Sequence, residues 1–120
     1  MASLIIASAP VGVVFADRDG VIRIWNEAAS QLLGYRSEQA LGSRLDVFIP
    51  PEHHRRHWAG FQRAIAAGHT EGDGQRLRLP AVHLSGDLVE IEGDFGIGLS
   101  EDGQAIGVAA LLRRPLPGTH

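Results

Sequence analysis

The residues best suited to chemistry lie together at positions 53 to 57, which read His-His-Arg-Arg-His. His53 and His57 have the one-turn spacing of a zinc-binding pair on a helix. The zinc-protease motif requires glutamate after the first histidine, however, and His54 stands there. The sequence has no cysteine and no evident third ligand. We therefore interpret this segment as a solvated, partly basic helix start that could guide an acidic partner, with a structural metal as the alternative.

Two arginines form a second candidate site. Arg76 and Arg78 alternate along a predicted strand, so they share one face and could clamp a carboxylate or phosphate. Such residues more often cover the outer face of a sheet and pair with acids on the next strand. Glu90 and Glu92 are available for that pairing, and we favour it.

The two tryptophans could stack on a flat ligand or anchor a dimer. Trp58 follows His57 directly, which places it about 100° around a helix. His57 and Trp58 therefore cannot both point directly into one small pocket. We expect Trp58 at the helix flank, packed on the sheet edge or on a second subunit, and leave the role of Trp25 open.

Sequence signatures of enzymes are absent. The chain has no glycine-rich phosphate loop, no nucleophile elbow and no HExxH motif. Acids such as Asp17 and Asp19 fall in an ordinary hairpin turn. We predict that the protein is not an enzyme.

Length and composition favour one soluble domain. The chain has 120 residues, 44% hydrophobic and 21% charged, with a net charge of -3. This balance excludes a disordered chain and does not favour nucleic acid as a partner. The apolar run Leu4 to Ala7 is too short to span a bilayer or to act as a signal peptide. We expect a cytoplasmic protein with no membrane contact.

The elements that position these residues begin with a hairpin. A lead-in helix is predicted at residues 4 to 9, ended by Pro10. Strands are predicted from Val11 to Ala16 and from Val21 to Trp25, joined by a tight turn at Asp19-Gly20.

Short helices follow the hairpin. Asn26 can cap the first through its side-chain oxygen, and Gly34 and Gly42 supply the left-handed residue that ends a helix. A longer helix is predicted from Glu52 to Ala67, beginning after Pro50-Pro51 and ending at Gly68. Its apolar stripe consists of His57, Phe61, Ala64 and Ile65.

The rest of the chain alternates in twos and predicts antiparallel strands from Gln75 to Leu84, Leu88 to Leu99 and Ala105 to Arg113. Their turns lie at Ser85-Gly86 and at residues 101 to 103. The order of elements gives an α+β domain. Within the second strand, the predicted buried face contains Val89, Ile91, Phe95, Ile97 and Leu99, and the wet face contains Glu90, Glu92 and Asp94.

Three segments in this order resemble a PAS sensory domain: APVGVVFADRDGVIRIWNEAASQLLGY at 9–35, IPPEHHRRHWAGFQRAIAAG at 49–68 and LRLPAVHLSGDLVEIE at 77–92. The resemblance extends from about Leu4 to Leu112. It implies a PAS fold, a five-stranded antiparallel sheet with short helices and one longer helix packed on one face. We expect a single PAS domain over residues 1–120, with a core at about 4–113 and a flexible tail at 114–120.

PAS domains usually sense, so the resemblance implies signalling rather than turnover. Family members hold haem, flavin, carboxylic acids or nothing between the helix and the sheet, and the chain is similar to stand-alone bacterial PAS proteins and to input modules of histidine kinases in two-component systems. We expect a small-ligand sensor, and the alternative is a ligand-free dimerisation module. The residues expected at the ligand or cofactor are His57, Phe61, Ile65, Leu77, Leu79, Phe95 and Ile97.

Haem is one candidate cofactor, and non-covalent flavin is a less favoured one. His57 lies seven residues after Pro50 and eleven before Gly68, which matches the axial haem histidine of oxygen-sensing haem PAS kinases. As that axial ligand, His57 would bind the haem iron. The alternative is a core histidine hydrogen-bonded to backbone or water. Leu77 stands where those kinases carry a gas-binding arginine, so an oxygen switch of that kind is not supported.

The resemblance also bears on signal output. The Asp-Ile-Thr triplet that usually follows the last PAS strand is replaced by the segment Leu111 to Pro115. This departure favours a non-covalent partner, such as a histidine kinase, over a covalently attached output helix. A homodimer is also expected, because the apolar lead-in Leu4 to Ile6 needs cover.

Overall fold

The computed structural model describes residues 11–69 and 76–115. The predicted lead-in helix at 4–9 and most of the predicted tail lie outside them. In chain order the elements are β1 (Gly12–Asp17), β2 (Ile22–Trp25), α1 (Glu27–Leu33), α2 (Ser37–Ala40), 3₁₀ helices at Leu45–Phe48 and Pro51–His53, α3 (His54–Ala67), β3 (Arg76–Val82), β4 (Leu88–Leu99) and β5 (Ala105–Arg113).

The strands form one antiparallel sheet in the order β2-β1-β5-β4-β3. The first and last strands of the chain are thus neighbours at the centre, and β2 and β3 form the edges. The helices and 3₁₀ turns pack on one face of this sheet, and the hydrophobic core lies between the two layers. The predicted α+β architecture is confirmed.

Asn26 connects the hairpin to the first helix. Its Oδ1 accepts hydrogen bonds from the Ala29 N–H at 3.1 Å and the Val13 N–H at 2.8 Å, and its Nδ2 donates to the Val11 carbonyl at 2.9 Å. The predicted cap is confirmed, and the same buried side chain also holds the start of β1. A cap to the helix alone would satisfy fewer of its polar atoms.

The long helix begins later than predicted. A 3₁₀ turn at Pro51–His53 precedes α3, which starts at His54 and ends at Gly68 with φ 80°. The fixed φ of Pro50 and Pro51 sets the direction of this entry. Phe61 and Ala64 are buried, whereas His57 and Ile65 are half-buried at the sides of the predicted stripe.

Two burial predictions in β4 are wrong. Leu99, the last residue of the strand, is 56% exposed, and the register shifts between Gly98 and Leu99. Glu92 is only 7% exposed, although it was expected on the wet face. It aligns with Arg78 on β3 and Arg113 on β5, and these long side chains flank it.

Candidate functional site

A partly enclosed cavity of ≈ 100 Å³ lies between α3 and the sheet. Side chains from α3, from β1, β3, β4 and β5, and from the 3₁₀ helix Leu45–Phe48 surround it. Among the described lining residues, His57 alone carries a polar side chain. The lining consists of Val14, Leu45, Phe48, Ile49, His57, Phe61, Leu79, Pro80, Ala81, Ile91, Phe95, Val108, Ala110 and Leu112.

A groove open to solvent adjoins this cavity between α3 and the strands. Arg56, Arg63 and His69 lie at its rim, and Leu77 is among its apolar residues. The cavity and the groove therefore meet at a shared wall. The residues common to both are His57, Phe61, Leu79, Phe95 and Val108.

The structure separates the predicted ligand residues into two groups. His57, Phe61, Leu79 and Phe95 line the cavity, and Leu77 lines the groove. The remaining predictions do not fit the described lining. Ile65 lies two helical turns beyond His57, at a separate surface depression, and Ile97 lies beyond Phe95 along β4. Both follow the correct periodicity, but periodicity does not indicate where along an element a cavity ends.

The sequence pattern did not indicate the small side chains that create the space. Ala81 on β3 and Ala110 on β5 line the cavity. Ala110 aligns with Phe95 across the β4–β5 ladder. Ile91 lies on the same predicted face of β4 as Phe95, so the alternation could have identified it as a lining residue. No sequence pattern indicated that the 3₁₀ helix Leu45–Phe48 lines the cavity.

His57 is a neutral, half-buried imidazole in this cavity. Burial lowers its pKa below 6.5, Asp46 opposes this through its charge, and His54 adds to the lowering. Among the described residues, its buried Nδ1 has no hydrogen-bond partner. The alternative prediction of a core histidine hydrogen-bonded to backbone or water has no described backbone partner at Nδ1. This nitrogen can form one hydrogen bond to a bound molecule.

Trp58 joins the cavity wall to the hairpin. Its ring contacts those of His57 and Phe61 at centroid distances of 4.9 and 5.2 Å, and its Nε1 donates to the Asp46 carboxylate. A Cβ added to Gly20 would collide with the indole, so Trp58 packs directly on the β1–β2 turn. This agrees with the predicted place at the helix flank.

The histidine cluster does not converge on one point. Arg56 Nη2 lies 2.6 Å from His53 Nδ1, and His54 Nε2 lies 2.7 Å from the Ile49 carbonyl. Within residues 11–69 and 76–115, no group of three or more potential metal ligands is found. The described side chains thus give the zinc alternative no support.

The cavity does not fit a haem or a flavin. Sites for drug-sized ligands measure about 300–1,000 Å³, whereas the enclosed volume here is ≈ 100 Å³. Neither a porphyrin nor a flavin ring system can be contained in this volume.

Comparison with known proteins identifies the family. A family model described as PAS fold matches residues 1–114. This chain belongs to the PAS family. No curated protein matches it.

Solved structures similar to this PAS domain share its fold at low identity. A PAS domain from Colwellia psychrerythraea aligns with TM-score 0.80 and 21% identity over 95% of this chain and 93% of its own. The PAS domain of a LuxR-family transcriptional regulator from Burkholderia thailandensis, in complex with ethanol, gives 0.69 and 18% over 92% and 95%. A PAS domain from a two-component sensor histidine kinase gives 0.70 and 16% over 95% and 93%.

The arginine pair on the outer face of the PAS sheet is used in ion pairs. Arg78 lies 3.3 Å from Glu90 and Arg76 lies 3.5 Å from Asp94. Pairing with acids on the next strand is thus confirmed, with Asp94 rather than Glu92 as the partner of Arg76. These ion pairs neutralise the charges of Arg76 and Arg78, so the structure favours this pairing over the alternative of a clamp for a carboxylate or phosphate.

The outer face also carries an apolar patch, which we define as Val13, Phe15, Ile24, Ala109 and Leu111. Ile24 and Leu111 are exposed, and the Phe15 ring lies against Gly98 and Gly107. Trp25, by contrast, is buried and its Nε1 donates to Ser30 Oγ and the Tyr35 carbonyl. It is therefore part of the core and is available neither to a flat ligand nor to a dimer.

Within the described part of the chain, no helix is long and apolar enough to cross a membrane.

Proposed function

We propose that this PAS domain is a non-catalytic, cytoplasmic sensor that binds a small molecule in the cavity between α3 and the sheet. The observation that carries the proposal is the partly enclosed apolar cavity with one buried imidazole nitrogen that has no partner among the described residues. The similarly folded PAS domain in complex with ethanol supports a small ligand. The PAS domain of a sensor histidine kinase supports a role in signalling.

Strand β5 connects the cavity to the outer face of the sheet. Val108, Ala110 and Leu112 line the cavity, and the intervening Ala109 and Leu111 belong to the apolar patch. A ligand that displaced β5 would therefore alter both faces. For such a shift to carry a signal, the ligand must bind one arrangement of the strand more tightly than the other.

The apolar patch is the surface that we propose reads this shift, in a homodimer or in contact with a signalling partner such as a histidine kinase. Light scattering over a concentration series tests the dimer. Leu111→Asp should weaken it, whereas Leu84→Asp, at an exposed leucine in the β3–β4 turn, should not. A wild-type chain that stays monomeric at the highest concentration would contradict the homodimer and leave contact with a signalling partner as the proposed role of the patch.

Native mass spectrometry tests the ligand. Wild-type protein should carry a small adduct after gentle purification, and Ala110→Leu, which occupies the cavity, should not. Identical masses for the two proteins, with no exchange of cavity signals on adding small molecules, would contradict the proposal.

The apolar patch also favours a second candidate, a ligand-free interaction module. In that case Ala110→Leu would leave partner or dimer affinity unchanged under every ligand condition. A change in affinity confined to the cavity variant, with the patch intact, would argue for the sensor instead.

A further inference from the structure

We propose that the cavity takes an uncharged molecule of roughly five non-hydrogen atoms, apolar except for one hydroxyl or carbonyl group that hydrogen-bonds to Nδ1 of His57. This inference rests on the proposed function, since it assigns a chemical class to the ligand of the same cavity.

The size follows from the enclosed volume. An apolar cavity of about 150 Å³ is enough to hold benzene. The cavity here measures ≈ 100 Å³. It therefore suits a compact molecule slightly smaller than benzene, or a short chain, and larger ligands would have to extend past Phe61 into the open groove.

The polarity follows from a single nitrogen. Described side chains from every surrounding element present carbon to the cavity, with His57 as the exception. Water is a poor occupant, because a buried water typically makes about three hydrogen bonds and the lining side chains provide one partner. A molecule with one polar group satisfies Nδ1 and places carbon against Phe95, Ala110 and the other apolar residues.

The absence of charge follows from where the cations lie. Arg56 and Arg63 line the open groove and neither lines the cavity. A carboxylate inside the cavity would lose its hydration without gaining an ion pair. The His57 imidazole does not supply the missing positive charge, because burial favours its neutral form.

The test compares probes of matched size by ¹⁵N-edited NMR titration of the full chain. The probes are 1-butanol, 1-fluorobutane, which lacks the hydroxyl, and butyrate, which is charged. The signals followed are the amides of Ile91, Phe95 and Val108 and the ring nitrogens of His57. We expect 1-butanol to bind roughly three- to ten-fold more tightly than 1-fluorobutane, as one net hydrogen bond allows, with a shift of the His57 ring signals. Butyrate should bind most weakly.

Three variants locate the effect. His57→Leu should bind both neutral probes with equal affinity, and Ala110→Leu should bind neither. His53→Leu removes a histidine that does not line the described cavity, so it should keep the preference for 1-butanol. If His57→Leu does not fold, the proposal is still tested by the preference of wild-type protein for 1-butanol and by the shift of the His57 ring signals.

The two proposals fail differently. Equal affinity of wild-type protein for 1-butanol and 1-fluorobutane, or tighter binding of butyrate, would overturn the ligand class while the cavity remained a binding site. A preference for 1-butanol over 1-fluorobutane that persists in His57→Leu would also overturn the ligand class. No response of the cavity amides to any probe, up to its solubility, would overturn the ligand class and the sensor proposal together.

Discussion

Phe95 on β4 faces Ala110 on β5 in the sheet register, and both side chains line the cavity beneath α3. Because Phe95 carries an aromatic ring and Ala110 only a methyl group, the two side chains fill the space above the sheet unequally. The space between helix and sheet thus follows from this pairing and from the other small residue of the lining, Ala81 on β3.

Filling that space should stabilise the domain. Ala110→Leu adds carbon to a cavity already lined by carbon, and cavity-filling substitutions commonly add about 0.5–2 kcal/mol to the free energy of unfolding. Urea denaturation of the ligand-free protein measures it. The matched control is Ala109→Leu, one residue away on the opposite face of β5. A large loss of stability in Ala110→Leu alone would mean that the surrounding packing cannot accept the side chain.

The titration of His57 should appear in the pH dependence of stability. Its pKa is lowered in the folded state by burial, so the unfolded chain binds the proton more tightly. The contribution is complete above pH 6.5 and should be lost as the pH falls from 6.5 through the folded-state pKa. Free energies of unfolding measured along a pH series should show this component in wild-type and His53→Leu proteins. It should be missing in His57→Leu, and its persistence there would assign it to another group.

The β1–β2 turn should tolerate no side chain at Gly20. Gly20 has φ 80° and Gly42 has φ 86°, so alanine at either position carries the left-handed penalty of roughly 1–2 kcal/mol. A Cβ at Gly20 would also meet the Trp58 indole, whereas nothing lies within 4 Å of one at Gly42. Gly20→Ala should therefore cost clearly more than Gly42→Ala in urea denaturation, with a change in tryptophan fluorescence. Equal costs would show that Trp58 moves aside freely.

Removing the Tyr35 hydroxyl should loosen the link between two segments around the core. The hydroxyl lies 2.9 Å from the Val47 carbonyl and 3.0 Å from the Val82 carbonyl, bridging the 3₁₀ helix Leu45–Phe48 and the end of β3. Tyr35→Phe leaves these carbonyls without that donor and should cost about 1–3 kcal/mol. Thermal and urea unfolding measure the loss.

Alkaline pH provides the control for this tyrosine. Burial raises its pKa above 10.0, so the unfolded chain loses the proton first and stability should fall as the pH rises through 10. Tyr35→Phe should lack that component of the fall. A variant with wild-type stability at neutral pH and the same alkaline slope would show that the bridge contributes nothing.

The sequence by itself determined the features that depend on neighbours along the chain. Asn26 as a cap, Gly34 and Gly68 as helix ends, and the Asp19-Gly20 turn follow from local hydrogen bonding and from φ values that glycine alone adopts easily. The alternation that predicted β4 and β5 is equally local, and both strands have their predicted bounds. These signals sufficed for the α+β order of elements, whereas the five-stranded PAS sheet was implied by the family resemblance.

Only the tertiary structure decided the cavity. Its lining comes from strands and turns far apart in the chain, and its volume is the small difference between the space they enclose and the side chains that fill it. Ile65 and Ile97 obey the same periodicity as Phe61 and Phe95, yet the crossing of α3 over the sheet leaves them outside. The burial of Glu92 likewise depends on strand register, which places it between arginines of two other strands that no local pattern connects to it.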